Sequence, residues 1–401
     1  MKRIGKLFKG DKVIWVIFFL FTAISLVAVY SSIGRTAIES LATSPTAAFF
    51  KHLGIVLFTY TAIIFLSAIN YRYFSKASVI IYWLCVALLI FLLATHGQRW
   101  IVIKGVGQFQ PSEIAKVILI VYTARLLTLK KASINTLETF LRIFISILII
   151  VALIVKENFS TAALVLLSCF VMLIIGGTNK KYWIRTLLLI VVGGVVGLLY
   201  FSKSTSNVEF GRSETWGNRV ETWLHPNHEE LNQPNTAKMA IARGKVFGVG
   251  IGNTVHARLM TQADNDFIYA IIIEETGMLG GLVILLLYSI FYLRCIKISM
   301  RCKGMFGSLT VFGMGTMIYM QAIVNMSVAV GVIPVTGQTL PFISYGGTAY
   351  LFLGCGIGII QSIAYDNIKQ EKLAKNSGNS LASEPVLASE NKEMSKQENP
   401  S

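Results

Sequence analysis

Apolar and polar positions alternate along this chain in long blocks rather than at the two- or four-residue spacing of a half-buried strand or surface helix. Ten predominantly apolar segments stand out, at about 13–33, 52–70, 78–95, 111–129, 140–156, 161–178, 183–202, 267–293, 306–330 and 341–365. Each is close to the ~20 residues that carry a helix across ~30 Å of hydrocarbon. The pattern predicts an all-α integral membrane protein of about ten transmembrane helices, with the fifth and sixth spans close enough to form a re-entrant pair. The first segment is long and no clear small-residue cleavage site follows it, so it reads as a retained signal anchor. The organisation expected is a basic N-terminus at 1–12, a membrane domain over 13–366, and a polar tail over 367–401. That tail, rich in Ser, Asn, Glu and Lys, is expected to be a disordered extension.

Charge orients the bundle. Lys2, Arg3, Lys6, Lys9 and Lys12 precede the first span and place the N-terminus in the cytoplasm. Alternation then puts Arg72 and Lys76, the cluster from Arg125 to Lys131, Lys180 and Lys181, and the cluster from Arg294 to Lys303 on the same side, and the tail with them. One connection between spans seven and eight, residues 203–265, is far longer than the rest and falls outside. It carries Arg212, Trp216, Arg219, Trp223, His225 and His228, and long connections of this kind tend to be functional. Within it, 237–244 reads as an amphipathic surface helix leading into Gly248-Val249-Gly250-Ile251-Gly252.

Composition agrees with this picture: 54% of residues are hydrophobic, 14% are charged and the mean hydropathy is +0.64, which excludes a soluble domain. The formal charge of +16 is spread over short inter-span clusters rather than one patch, so nucleic acid is not an expected partner. The five cysteines lack metal-ligand spacing and read as packed, inert thiols.

Carboxylates at a membrane boundary are the chemistry that remains. Asp266 stands where the long loop returns to the apolar phase, preceded by Asp264 and followed about two turns later by Glu274 and Glu275. Ionisable groups at such depths are costly and mark function by default. An Asp at a helix start also caps free N–H groups, but no cap requires the two glutamates. At 100° per residue Asp266 and Glu274 lie about 80° apart and can border one groove. There a carboxylate can act as general base towards a hydroxyl, or couple protons or cations in a transporter.

Before the fourth span, Arg99-Trp100 and Gln110-Pro111-Ser112-Glu113-Ile114-Ala115-Lys116 place Glu113 and Lys116 three residues apart on one helix face. The pair reads either as a self-satisfied ion pair or, with Arg99, as a cationic rim for an anionic headgroup. A third block, Pro334 to Thr348, has Leu340-Pro341-Phe342-Ile343-Ser344-Tyr345-Gly346-Gly347 at its centre. Asn325, inside span nine, is expected to bond helix to helix.

These blocks, in this order, resemble the SEDS family (shape, elongation, division and sporulation), membrane peptidoglycan glycosyltransferases that include FtsW and RodA. The resemblance spans about residues 13–365, with Val335 to Pro341 and the Lys9-to-Trp15 opening nearer the FtsW branch. It implies polymerisation of lipid II into glycan strands at the outer face of the cytoplasmic membrane, with undecaprenyl pyrophosphate leaving. It assigns Asp266 as the catalytic carboxylate, Arg99, Lys116, Glu113 and Ser344 as substrate-binding, and Glu274, Glu275 and Asp264 as supporting residues. The implied partners are the growing strand, a class B penicillin-binding protein and the division machinery; a divalent cation is compatible, though no ligand set can be read. A RodA-like elongation polymerase, a lipid-linked-precursor flippase and a catalytically inactive division scaffold are the alternatives. Where the family has Leu-Pro-Glu-x-His-x-Asp, this chain reads Met260-Thr261-Gln262-Ala263-Asp264-Asn265-Asp266, so the Pro, Glu and His are absent while the final Asp is kept.

Overall fold

The structure is a computed structural model that describes residues 8–36, 45–94, 101–103, 107–186, 188, 219, 223–224, 233–260, 265–345 and 347–382. Apart from a short hairpin it is helical. Helices α1 (Lys12–Thr36), α2 (Pro45–Ala68) and α3 (Tyr71–Ala94) precede strands β1 (Ile101–Ile103) and β2 (Gly107–Phe109). These strands pair antiparallel, Val102 opposite Gln108, in the connection between the third and fourth expected spans. Then come α4 (Pro111–Leu129), α5 (Leu137–Val155), α6 (Phe159–Ile175), α7 (Gln233–Gly244), α8 (Ile268–Arg301), α9 (Met305–Ala329) and α10 (Gly347–Ala382). Seven helices, α1–α3, α5 and α8–α10, contain stretches long and apolar enough to cross a membrane. Of the other three segments expected to span, α4 has 19 residues but carries Glu113, Lys116 and Arg125, and α6 has 17. Residues 180–186 are helical, and most of the rest of the expected seventh span lies outside the described residues.

Helix α4 is the axis of the bundle and packs against α3, α5, α6, α9 and α10. Its apolar residues Leu119, Ile120, Ala124 and Leu127 are fully buried, and Glu113 and Lys116 are buried with them. A helix enclosed on all sides needs no apolar stripe, and α4 has none. The outside is apolar instead: Leu57, Phe58 and Phe65 on α2, Trp83, Leu84 and Phe91 on α3, and Met278, Leu282 and Leu286 on α8 are exposed. Such a surface is unstable in water and suits acyl chains.

Two elements depart from expectation. Residues 367–382, assigned to the disordered tail, continue α10, which runs to Ala382. The stretch Lys369-Gln370-Glu371-Lys372-Leu373-Ala374-Lys375 is built of good helix formers, and extending an existing helix avoids the cost of nucleation. Helix α7 starts at Gln233, four residues earlier than expected, and buries Ala237, Ala240 and Gly244. It packs mainly along α8, where its last residue meets the Ile273 carbonyl.

Helix α8 is broken at Gly277, whose φ of 75° and ψ of −177° leave the helical region. The break frees carbonyls on one side and N–H groups on the other, and an unpaired group at such depth costs several kcal/mol, at roughly the upper end of the usual range. The segment after α7 fills the gap. Val249 and Gly250 donate to the carbonyls of Glu274 and Glu275 at 2.9 and 3.0 Å, while Met278 and Leu279 donate to Lys245 and Val246 at 2.9 and 3.4 Å. Side chains are excluded at the crossing, because a Cβ on Gly277 would stand 2.1 Å from the Val246 carbonyl oxygen, and one on Gly248 equally close to that of Glu275. Gly277→Ala is therefore expected to cost at least the ~1–3 kcal/mol of left-handed backbone strain. Gly54→Ala, which meets nothing within 4 Å, is expected to be neutral. Thermal unfolding of both variants in detergent measures the difference; equal melting temperatures would refute the packed break.

Candidate functional site

Asp266 lies in the turn that leads into α8, one residue before the cap position, Phe267, whose own side chain makes no capping bond. Its backbone is held from two directions. Asn325, on α9, donates its amide to the Asp266 carbonyl at 2.9 Å and to the Gln338 carbonyl at 2.7 Å. Ser344 donates to the carbonyl of the adjacent Asn265 at 2.6 Å while accepting from the Leu340 N–H at 2.8 Å. Asn325 thus bonds helix to loops, not helix to helix as the sequence implied. The Asp266 carboxylate faces the 334–345 loop across Gly337: its Oδ2 is 3.7 Å, and Arg219 Nη1 3.9 Å, from where a Cβ on Gly337 would stand. Arg219 itself donates to the Val335 carbonyl at 3.3 Å.

Further polar contacts carry this loop into the bundle. Gln338 donates to Thr161 Oγ1 at 2.7 Å, in the first turn of α6, where Asn158 caps the helix. Gln321 donates to the Thr339 carbonyl at 3.0 Å, and its own oxygen accepts from Lys116 Nζ at 3.1 Å. Lys116 completes the chain with Glu113 at 2.9 Å. None of the Lys116 side chain is exposed and only 8% of that of Glu113, so the pair is internal, where a rim meeting a headgroup would be open. Buried charges of this kind are tolerated because each has a partner.

Glu274 and Glu275 are taken up elsewhere. Glu274 pairs with Arg243 at 2.7 Å and His256 Nδ1 at 2.9 Å, and accepts from the Thr254 hydroxyl and the Val255 N–H. Glu275 accepts from the Ser31 hydroxyl on α1 and the Gly252 N–H. Both clamp the 243–256 segment onto the break in α8. Arg243 and His256 were not singled out from sequence as partners of these acids; only their proximity to a charged helix end could have hinted at it. Arg99 and Asp264 lie outside the described residues, as do Arg212, Trp216, His225 and His228. Among the described residues no group of three or more His, Cys, Asp or Glu converges as a metal site would require. The five cysteines are free thiols, and burial pushes that of Cys302, beyond the end of α8, up from its ordinary value.

Comparison with known proteins bears directly on this arrangement. The family model described as cell cycle protein, covering FtsW, RodA and SpoVE, matches residues 11–369. The chain belongs to that family. Over 369 residues it is 29% identical to the probable peptidoglycan glycosyltransferase FtsW of Bacillus subtilis (strain 168), spanning 88% of this chain and 91% of that one. Among solved structures, a chain from work on the structural coordination of polymerization and crosslinking by a peptidoglycan synthase complex superposes with a TM-score of 0.65. That match covers 89% of this chain and 98% of the other at 22% identity. The rod shape determining protein RodA of Thermus thermophilus gives 0.63 at 20% identity, covering 89% and 97%. At these identities the two structures speak for the fold, a multi-span bundle shared with this chain.

The buried pair supplies a test. Lys116→Met leaves the Glu113 carboxylate without its cation and is expected to cost about 3–5 kcal/mol. The double change Glu113→Gln with Lys116→Met is expected to recover most of that loss, read as melting temperature in detergent. A double variant as unstable as the single one would contradict the internal pair.

Proposed function

We propose that this chain is a peptidoglycan glycosyltransferase that polymerises lipid II into glycan strands at the outer face of the bacterial cytoplasmic membrane. The observation that carries the reading is Asp266: a carboxylate on a backbone pinned by Asn325 and Ser344, facing a glycine gap beside Arg219. The acceptor sugar hydroxyl gives its proton to Asp266 as its oxygen attacks the anomeric carbon of the lipid-linked strand. The bond from that carbon to the diphosphate breaks, and undecaprenyl diphosphate departs with the electron pair. General-base assistance of this kind is worth roughly 10²–10⁴ in rate.

Ser344 acts by holding the turn at Asn265, and Glu113 with Lys116 by fixing Gln321 under the 334–345 loop. These three position the site rather than touch the reacting atoms. Glu274 and Glu275 secure the neighbouring segment, Arg99 keeps the substrate-binding role the resemblance implies, and Asp264 the supporting one. The topology we assign has ten spans, both termini in the cytoplasm and 203–265 as the outer loop between spans seven and eight, in keeping with the Lys and Arg clusters. The FtsW names of curated relatives favour septal synthesis during division. A class B penicillin-binding protein is the partner we assign, supported by the polymerization and crosslinking named for the matching complex.

Purified protein, reconstituted with its transpeptidase and labelled lipid II, tests the reading. Wild type is expected to make strands, and Asp266→Ala to lose at least about a hundredfold in rate. Strand synthesis at the wild-type rate by Asp266→Asn would overturn the assignment of the base. Lipid II crossing the bilayer without polymerisation would transfer the reading to a flippase.

A further inference from the structure

Arg219, across Gly337 from the Asp266 carboxylate, also lines a cavity of about 310 Å³. Its walls are the first turn of α7, the end of α9, the loop through Ile333 and Val335, and Arg219 and Trp223 from the long connection. Two cations line it, Arg219 and the exposed Lys238, with the amide of Asn235, the indole of Trp223 and apolar Ile333 and Val335; no carboxylate is among its described lining residues. Arg219 is fixed by the Val335 carbonyl, which uses one of its five N–H donors. Lys238 crosses Gly331, its Nζ 3.2 Å from where a Cβ there would stand, and the same Gly331 carbonyl accepts from the Trp223 indole at 3.1 Å. The positive end of the α7 dipole opens on the same space.

Three cations of the described bundle answer a carboxylate: Lys116 has Glu113, Arg243 has Glu274 and Arg294 has Asp11. Here two cations and a helix N-terminus converge on a space that has room for a ligand, and the Asp266 carboxylate lies across Gly337 from Arg219. A site of this make-up takes a phosphate-bearing group, with Arg supplying a planar fork and Lys a point charge.

We propose that this cavity binds the diphosphate of the lipid-linked sugar, gripped by Arg219 and Lys238 with the sugar ring against Trp223. The proposal rests on the glycosyl-transfer reading and adds to it the seat of the leaving group. With the diphosphate in this cavity, the leaving group rests on Arg219, which Gly337 separates from the Asp266 carboxylate. The negative charge that develops on the departing oxygen is met by these cations rather than by reorganising water.

The test is binding of labelled inorganic pyrophosphate to the full chain in phosphatidylcholine nanodiscs. Saturable binding is expected in wild type, weakened about tenfold in each of Arg219→Gln and Lys238→Gln. Arg219→Lys, which keeps the charge, is expected to stay within about threefold and guards against a folding defect. Asp266→Ala, which stops transfer, is expected to bind as wild type does, so failure of the base assignment and failure of this site are separately visible. Wild-type affinity in both Gln variants, or no saturable binding in wild type, would overturn the proposal. Loss of pyrophosphate binding when phosphatidylglycerol is added to the discs would also overturn it, by giving the cavity to a bulk phospholipid headgroup.

Discussion

Asn325 holds two separate loops with one buried amide, bonding the carbonyls of Asp266 and Gln338 from the middle of the apolar bundle. Irregular backbone at the edge of a membrane domain has no helical partner and little water, so its carbonyls must be met by side chains or remain unpaid for. The chain meets them with neutral amides and a hydroxyl, namely Asn325, Gln321, Gln338 and Ser344. Two charges deep in the network, Glu113 and Lys116, neutralise each other on α4. The 334–345 loop and the turn at Asp266 are thereby fixed to α4, α6 and α9 as one unit. That rigidity matters for transfer chemistry, because a reactive group displaced by about 1 Å can lose two orders of magnitude in rate.

The same constraint explains the second irregular feature. The gap in α8 at Gly277 exists because the 245–252 segment enters it and satisfies the backbone on both sides. Glu274 and Glu275 then anchor that segment through Arg243, His256, Thr254, Gly252 and Ser31. Two carboxylates that look alike to Asp266 in the sequence are thus bound up in holding the 243–256 segment, whereas Asp266 faces the 334–345 loop at Gly337. Similar depth in the membrane has produced different roles, decided by which polar groups the fold brings to each.

Much of this was legible in the residues. The apolar blocks placed most helices within a few positions, because a span needs a length of apolar chain that little else resembles; α4 begins at Pro111 and ends at Leu129 as read. Motif order gave the family. The partnerships were not legible: Glu274 meets Arg243 and His256 across 31 and 18 residues, and Gln338 meets Thr161 across 177. No local periodicity encodes contacts of that range. Gly277 was visible as a glycine, but its break depends on a segment some thirty residues earlier, and α10 outran its apolar block because its polar continuation still favours helix. Lys116 read equally well as rim or as internal pair, since charge alone does not report burial.

Hydrogen exchange in an Asn325→Leu variant tests most directly whether one buried amide joins these loops. If it does, amides of 265–270 and of 336–345 will exchange faster together, although about seventy residues separate them, while 245–252 keeps its wild-type protection. Unchanged exchange in both segments, or faster exchange confined to α9 around position 325, would contradict the account.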